Sequence, residues 1–244
     1  MRIISRLDIK NNFVIKGINL EGFRKIGNPN EMGVNYYKEG VDEIILMDAV
    51  ASYFGRNNLF EIVKKCTKNI FVPITVGGGI RSLEDISKAL NSGADKVALN
   101  SAAVKNPKLI FDASKKFGSS TIVISIETKK NQKNEWEVFT NTGREPSGIH
   151  LNNWIKQIQE LGCGEILITS IDTEGTQKGF DLTLLNNLDK TNINVPLIFS
   201  GGCGSIEDVT AVKEQLKDDA IAIASAFHYK KLAIKDVKKI TNND

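Results

Sequence analysis

Two carboxylates, Asp8 and Glu127, stand at the ends of two short runs of strand type, 2–9 and 121–127. If both runs belong to one closed sheet, the acids face a common cavity. Such a pair suits acid–base work, with one group donating a proton while the other accepts. The plain alternative is two solvated strand-end acids, but their equivalent places in an internal repeat weigh towards catalysis. Asn100 and Thr169 also fall at inward strand ends. They suit substrate hydroxyls, or else a satisfied hydrogen bond inside the wall. Lys16 suits a phosphate or simple solvation.

A glycine turn, Thr75-Val76-Gly77-Gly78-Gly79-Ile80, follows an apolar run and precedes a helix pattern opened by Ser82, with Asp85 at the capping-box position. Backbone N–H groups approach a ligand closely at such a turn, and a helix start favours an anion. Phe199-Ser200-Gly201-Gly202-Cys203-Gly204 repeats the arrangement. Read singly, either is only a tight turn. Read together, they predict two phosphate sites, one from Gly79, Asn100 and Ser101, the other from Gly175, Gly202, Ala224 and Ser225.

These groups need a scaffold that brings strand ends together. Strand patterns cover 2–9, 43–48, 71–76, 95–100, 121–127, 165–170, 196–200 and 220–225. Helix patterns cover 30–40, 59–69, 83–93, 107–117, 151–162, 182–189, 206–217 and 234–240, with Gly40, Gly93 and Gly162 as closing glycines. This alternation predicts an α/β protein, a (β/α)8 TIM barrel with a twofold half-barrel repeat. A doubly wound open sheet fits less well, because no dinucleotide fingerprint follows the first strand. We expect a single domain over 1–244, with halves of about 1–118 and 119–244. Two excursions, 11–30 and 129–148, fall at the catalytic face as lids or tolerated insertions.

At the opposite end, Arg2, Glu43, Lys96 and Glu165 start strands. Counting by twos places Arg2 in phase with Asp8, Lys96 with Asn100 and Glu165 with Thr169. An alternating ring of charge is expected at the barrel bottom, by default a stabilising feature. Arg6 is in phase with Asp8 too, and needs partners if it points inward. We expect Glu127 to lean towards Arg6 or Ser125, a contact that favours the ionised carboxylate.

Composition excludes several classes. The net charge is +3 and no basic run is interleaved with aromatics, so nucleic acid is not expected as a partner. No apolar segment is long enough to span a membrane and Arg2 already begins a strand, so a cytoplasmic protein is expected. Three dispersed cysteines read as reduced packed thiols, and two histidines make no usual zinc site, so no metal is expected.

The segments Arg6-Leu7-Asp8-Ile9-Lys10, Ile15-Lys16-Gly17, Thr75 to Ile80, Gly93-Ala94-Asp95-Lys96-Val97, Asn100-Ser101-Ala102-Ala103-Val104, Gly164-Glu165-Ile166-Leu167, Thr169-Ser170-Ile171-Asp172 and Ala224-Ser225-Ala226-Phe227-His228 together resemble the cyclase subunit family of imidazole glycerol phosphate synthase, from histidine biosynthesis. The likeness runs from Arg2 to about Tyr229. It implies ammonia from a glutaminase subunit docked at the N-terminal barrel face, near Asp95. The ring of Arg2, Glu43, Lys96 and Glu165 would be the ammonia gate. The substrate would be a bisphosphate, the ribulosyl formimino aminoimidazole carboxamide ribotide, with Asp8 and Glu127 as the acid–base residues. Lys16, Asp48, Gly79, Asn100, Ser101, Thr169, Glu174, Gly175, Ser200, Gly202, Ala224 and Ser225 would bind substrate or phosphate. No cofactor is implied. The chain departs from the family at Glu127 and Glu174, usually Asp, and at Arg6, usually a small residue such as Cys. Those departures fit a paralogue that passes ammonia to a sugar amidotransferase in surface-glycan biosynthesis. A non-catalytic scaffold that activates a glutaminase is the third reading.

Overall fold

The computed structural model describes residues 1–51, 59–216 and 219–242. The strands are β1 (Arg2–Lys10), β2 (Phe13–Ile18), β3 (Glu21–Gly27), β4 (Glu43–Asp48), β5 (Ile74–Gly77), β6 (Lys96–Leu99), β7 (Ile122–Lys130), β8 (Trp136–Thr140), β9 (Glu145–His150), β10 (Glu165–Ser170), β11 (Leu197–Ser200) and β12 (Ala220–Ile223). β1, β4, β5, β6, β7, β10, β11 and β12 pair in parallel in that order, and β12 returns to β1, closing a (β/α)8 barrel. Alternation along each strand builds two layers. Ile3, Leu7 and Ile9 of β1 face the outer helices, while Ile4 joins Ile45, Ala98, Val123, Leu167, Ile198 and Ala222 inside the barrel.

The two excursions are antiparallel hairpins. β1 runs past the wall to pair with β2, placing Asp8 opposite Ile15, and β2 pairs with β3. β7 does the same with β8, placing Glu127 opposite Phe139, and β8 pairs with β9. The two acids thus occupy matching positions in the two halves. Each hairpin leans over the mouth.

Several boundaries differ from the pattern reading, each for a local reason. The run from 71 becomes strand only at Ile74, because Pro73 donates no backbone hydrogen bond and Phe71 is exposed. β6 and β12 stop before Asn100 and Ala224, whose backbones turn out of the sheet and open the short helices Ser101–Lys105 and Ser225–His228. The helix begun at Ile206 is described to Leu216, and Lys217 lies outside the described residues. Gly40, Gly93 and Gly162 adopt left-handed φ angles of 94°, 101° and 94° at helix ends, where a side chain is strained. Among the described residues no helix is long and apolar enough to cross a membrane. Cys66, Cys163 and Cys203 are buried free thiols, and burial pushes Cys66 up to about 11 and Cys163 up to about 12.

Candidate active site

Asp8 lies at the C-terminal mouth of the barrel, 2% exposed. Its Oδ1 accepts from Arg6 Nε at 2.9 Å and its Oδ2 from Lys16 Nζ at 3.1 Å. Burial alone would raise the carboxyl, but the charges of Arg6 and Lys16 overrule it and hold Asp8 well below the usual carboxylate range. Lys16 reaches down from the β2–β3 hairpin and also binds Glu174, so its ammonium is shared by two buried acids. Burial opposes its charge too, and Glu174 with Asp8 restores it. The hairpin is pinned alongside: Asn19 donates through its backbone to Glu174 O at 2.7 Å and through its side chain to Ile171 O at 2.7 Å.

Glu127, 7% exposed, is held differently. Its Oε2 accepts from Asn100 Nδ2 at 3.1 Å and from the Gly143 backbone N–H at 2.8 Å. Burial dominates here. Arg6, Gly143 and Asn100 favour the anion and Asp8 disfavours it, and the net result is a carboxyl pushed up to about 7. The contact expected between Glu127 and Arg6 or Ser125 does not form. Arg6 does point inward, but Asp8 is two residues away on the same strand face and takes its Nε, while Thr169 Oγ1 takes its Nη1 at 2.9 Å. Gly143 is the partner that pattern reading missed. The Asn141-Thr142-Gly143 turn, with φ angles of 52°, 58° and 72°, carries its N–H back over the mouth. Asn-Thr-Gly is a turn signal visible in the sequence, but its destination is set by the hairpin's length.

One cavity collects Arg6, Asp8, Asp48, Gly79, Asn100, Ser101, Ser125 and Glu127. Asp48 Oδ1 also caps the following turn, accepting from Val50 and Ala51 N–H at 3.0 and 2.9 Å, and burial raises its carboxyl against those bonds. A second, smaller pocket collects Glu174, Gly175, Gly202, Ala224 and Ser225. Each glycine turn therefore has its own hollow on the mouth. Gly202 has φ 101°, and a Cβ there would lie 2.0 Å from Gly179 O. The Ser225 hydroxyl is buried without a hydrogen-bond partner among the described residues. Thr169 and Ser200 are buried at strand ends and line neither hollow. Sulfate soaked into crystals should therefore bind at both turns, while Gly202→Ala should remove density from the second only. Occupancy of a single turn under saturating sulfate would defeat the two-anion reading.

At the other end of the barrel four side chains meet in an alternating ring. Arg2 binds Glu43 and, at 2.7 Å, Glu165; Lys96 binds Glu43 at 2.9 Å and Glu165 at 2.8 Å. The apolar layer around Ile4 separates this ring from the mouth. Among the described residues no group of three or more His, Cys, Asp and Glu is placed to hold a metal ion.

Comparison with known proteins gives a consistent answer. The family described as "Histidine biosynthesis protein" matches residues 2–233. A Legionella pneumophila protein named "Imidazole glycerol phosphate synthase subunit HisF" is 53% identical over 208 residues, 85% of this chain and 98% of its own length. Proteins of the same name from Helicobacter hepaticus and Prochlorococcus marinus are 48% and 45% identical, covering 97% and 100% of this chain and 93% and 95% of theirs.

Proposed function

The chain belongs to the histidine biosynthesis protein family, and on that premise we propose that it is the cyclase subunit of imidazole glycerol phosphate synthase. Of the three readings left open by the sequence, this one is supported by relatives of that name across nearly the whole chain. In the reaction, ammonia and the bisphosphorylated ribulosyl formimino aminoimidazole carboxamide ribotide give imidazole glycerol phosphate and aminoimidazole carboxamide ribotide. The observation that carries the site assignment is one mouth holding two buried acids of opposite protonation tendency between two glycine-lined hollows. Forming an imidazole from an amine and a carbonyl requires protons to leave nitrogen and to reach departing oxygen or nitrogen. Asp8, held ionised, suits the accepting role, and Glu127, protonated up to about 7, suits the donating one. The hollow at Gly79, Asn100 and Ser101 would take one phosphate and that at Gly175, Gly202, Ala224 and Ser225 the other. Lys16, Asp48, Thr169, Glu174 and Ser200 would shape the space between.

The partner would be a glutaminase docked at the N-terminal face, with the ring of Arg2, Glu43, Lys96 and Glu165 as the gate for its ammonia. A cytoplasmic location goes with this reading. The direct test is turnover of the ribotide by the isolated chain with ammonium salt, read as imidazole glycerol phosphate formed; absence of product would remove the cyclase assignment. Lys96→Ala tests the gate. Glutamine-dependent product should fall several-fold relative to glutamine hydrolysis while ammonium-dependent turnover holds, since Lys96 is remote from the mouth. An equal fall in both activities would make the ring purely structural.

A further inference from the structure

Arg6 is a buried cation for which the proposed chemistry has no task. β1 and β10 are separated around the wall by β11 and β12, so the 2.9 Å bond from Arg6 Nη1 to Thr169 Oγ1 is a chord through the lumen. Below the chord lies the apolar layer of Ile4, Ile45, Leu167 and Ile198. Above it lies the mouth cavity, which Arg6 lines beside Asp8, Ser125 and Glu127. A guanidinium set on apolar side chains finds its counter-charge only upwards, and its Nε meets Asp8 there at 2.9 Å.

Two cations share Asp8, but they are not anchored alike. Lys16 belongs to a hairpin outside the wall and divides its ammonium between Asp8 and Glu174. Arg6 belongs to the same strand as Asp8, two residues away, with a second anchor across the barrel. The charge count is also closed: Arg6 and Lys16 balance Asp8 and Glu174, so an ionised Glu127 would be a surplus anion in a buried cluster. Three other titratable or charged groups face this cluster among the described residues: Asp48, whose carboxyl burial raises; Arg81, which donates to Ala51 O at 2.8 Å; and His228, stacked on Tyr36, which burial pushes down to about 4 and which is therefore neutral near pH 7.

We propose that Arg6 is a positioning residue for Asp8: its chord fixes that carboxylate at the mouth as the ionised acceptor, while Glu127, bonded to Asn100 and Gly143 and to no cation among the described residues, is left as the donor. The inference rests on the reading of Asp8 and Glu127 as the acid–base pair. The opposite displacements of the two carboxyls agree with it.

The experiment is carboxyl-carbon NMR titration of the isolated chain labelled at Asp and Glu, between pH 2 and 9, beside ammonium-dependent turnover over the part of that range in which the chain stays folded. In the native chain Asp8 should stay ionised throughout and Glu127 should titrate near 7. Arg6→Met should raise the Asp8 midpoint by about one to three pH units and carry the acid limb of turnover up with it. Arg6→Lys, which keeps the charge, should restore part of the shift. Unmoved midpoints in a folded Arg6→Met chain would overturn the proposal, because a purely structural arginine changes stability and leaves the titrations alone. If Arg6→Met does not fold, Thr169→Val decides: the chord loses its far anchor, so the Asp8 midpoint should rise by part of the Arg6→Met shift, and an unmoved Asp8 midpoint overturns the proposal. Native titrations as described without ribotide turnover would sink the cyclase reading and leave the charge division standing.

Discussion

Asp8→Asn is expected to lower ammonium-dependent turnover on the order of a hundred- to ten-thousandfold, the range spanned by a lost general acid or base. It should also weaken the fold. Asp8 is the sole carboxylate within bonding distance of Arg6 among the described residues, and it takes half of the Lys16 ammonium. Removing one partner of a buried ion pair leaves the other uncompensated, at about 3–5 kcal/mol. Asn can still accept one hydrogen bond, so the lower end applies. Urea unfolding measures the loss directly. A variant inactive yet fully as stable as the native chain would mean that the pairs around Asp8 contribute nothing net to the fold. A variant destabilised but fully active would remove Asp8 from the chemistry. The two measurements separate the roles that one residue combines.

Much of this arrangement is legible in the sequence. Alternation by twos placed Arg2, Arg6 and Asp8 on one face of β1, and the barrel closure then followed from repeated strand–helix spacing. Asp8 and Glu127 were visible as a pair because the chain repeats itself. Less visible was which neighbour each side chain selects. Glu127 is expected from the sequence to lean towards Arg6 or Ser125, and its donors are instead Asn100 and Gly143, the latter a backbone group delivered by a hairpin whose course depends on a register shift between β8 and β9. Lys16 reads in the sequence as a phosphate ligand or a solvated side chain; the hairpin buries it against Asp8 and Glu174, which removes the solvated reading. Backbone donors and hairpin geometry leave weak marks in composition and periodicity, whereas strand phase leaves strong ones.

Glu127→Gln is expected to abolish a pH limb as well as most of the activity. Burial raises this carboxyl from an ordinary 4.5 to about 7, so in the folded chain it keeps its proton below neutrality. As the proposed donor in ring closure it would be competent while protonated, and turnover should fall as pH rises through about 7. Gln cannot give up a proton, so turnover should drop on the order of a hundred- to ten-thousandfold and lose that limb. The same group sets a stability slope of defined sign. An unfolded chain loses the Glu127 proton near 4.5 and the folded chain near 7, so between those values the folded state binds more protons and stability falls with rising pH. Over that interval the loss is about 3 kcal/mol, at 1.36 kcal/mol per pH unit. Asp8 works in the other direction: its lowered value adds stability above the ordinary aspartate range, which is lost only as pH falls below it, outside the Glu127 window. Glu127→Gln should therefore flatten unfolding free energy between pH 5 and 7 and abolish the alkaline limb together. A native alkaline limb that survives in the variant would assign it to another group, and a native chain whose turnover rises through pH 7 would make Glu127 the base instead of the acid.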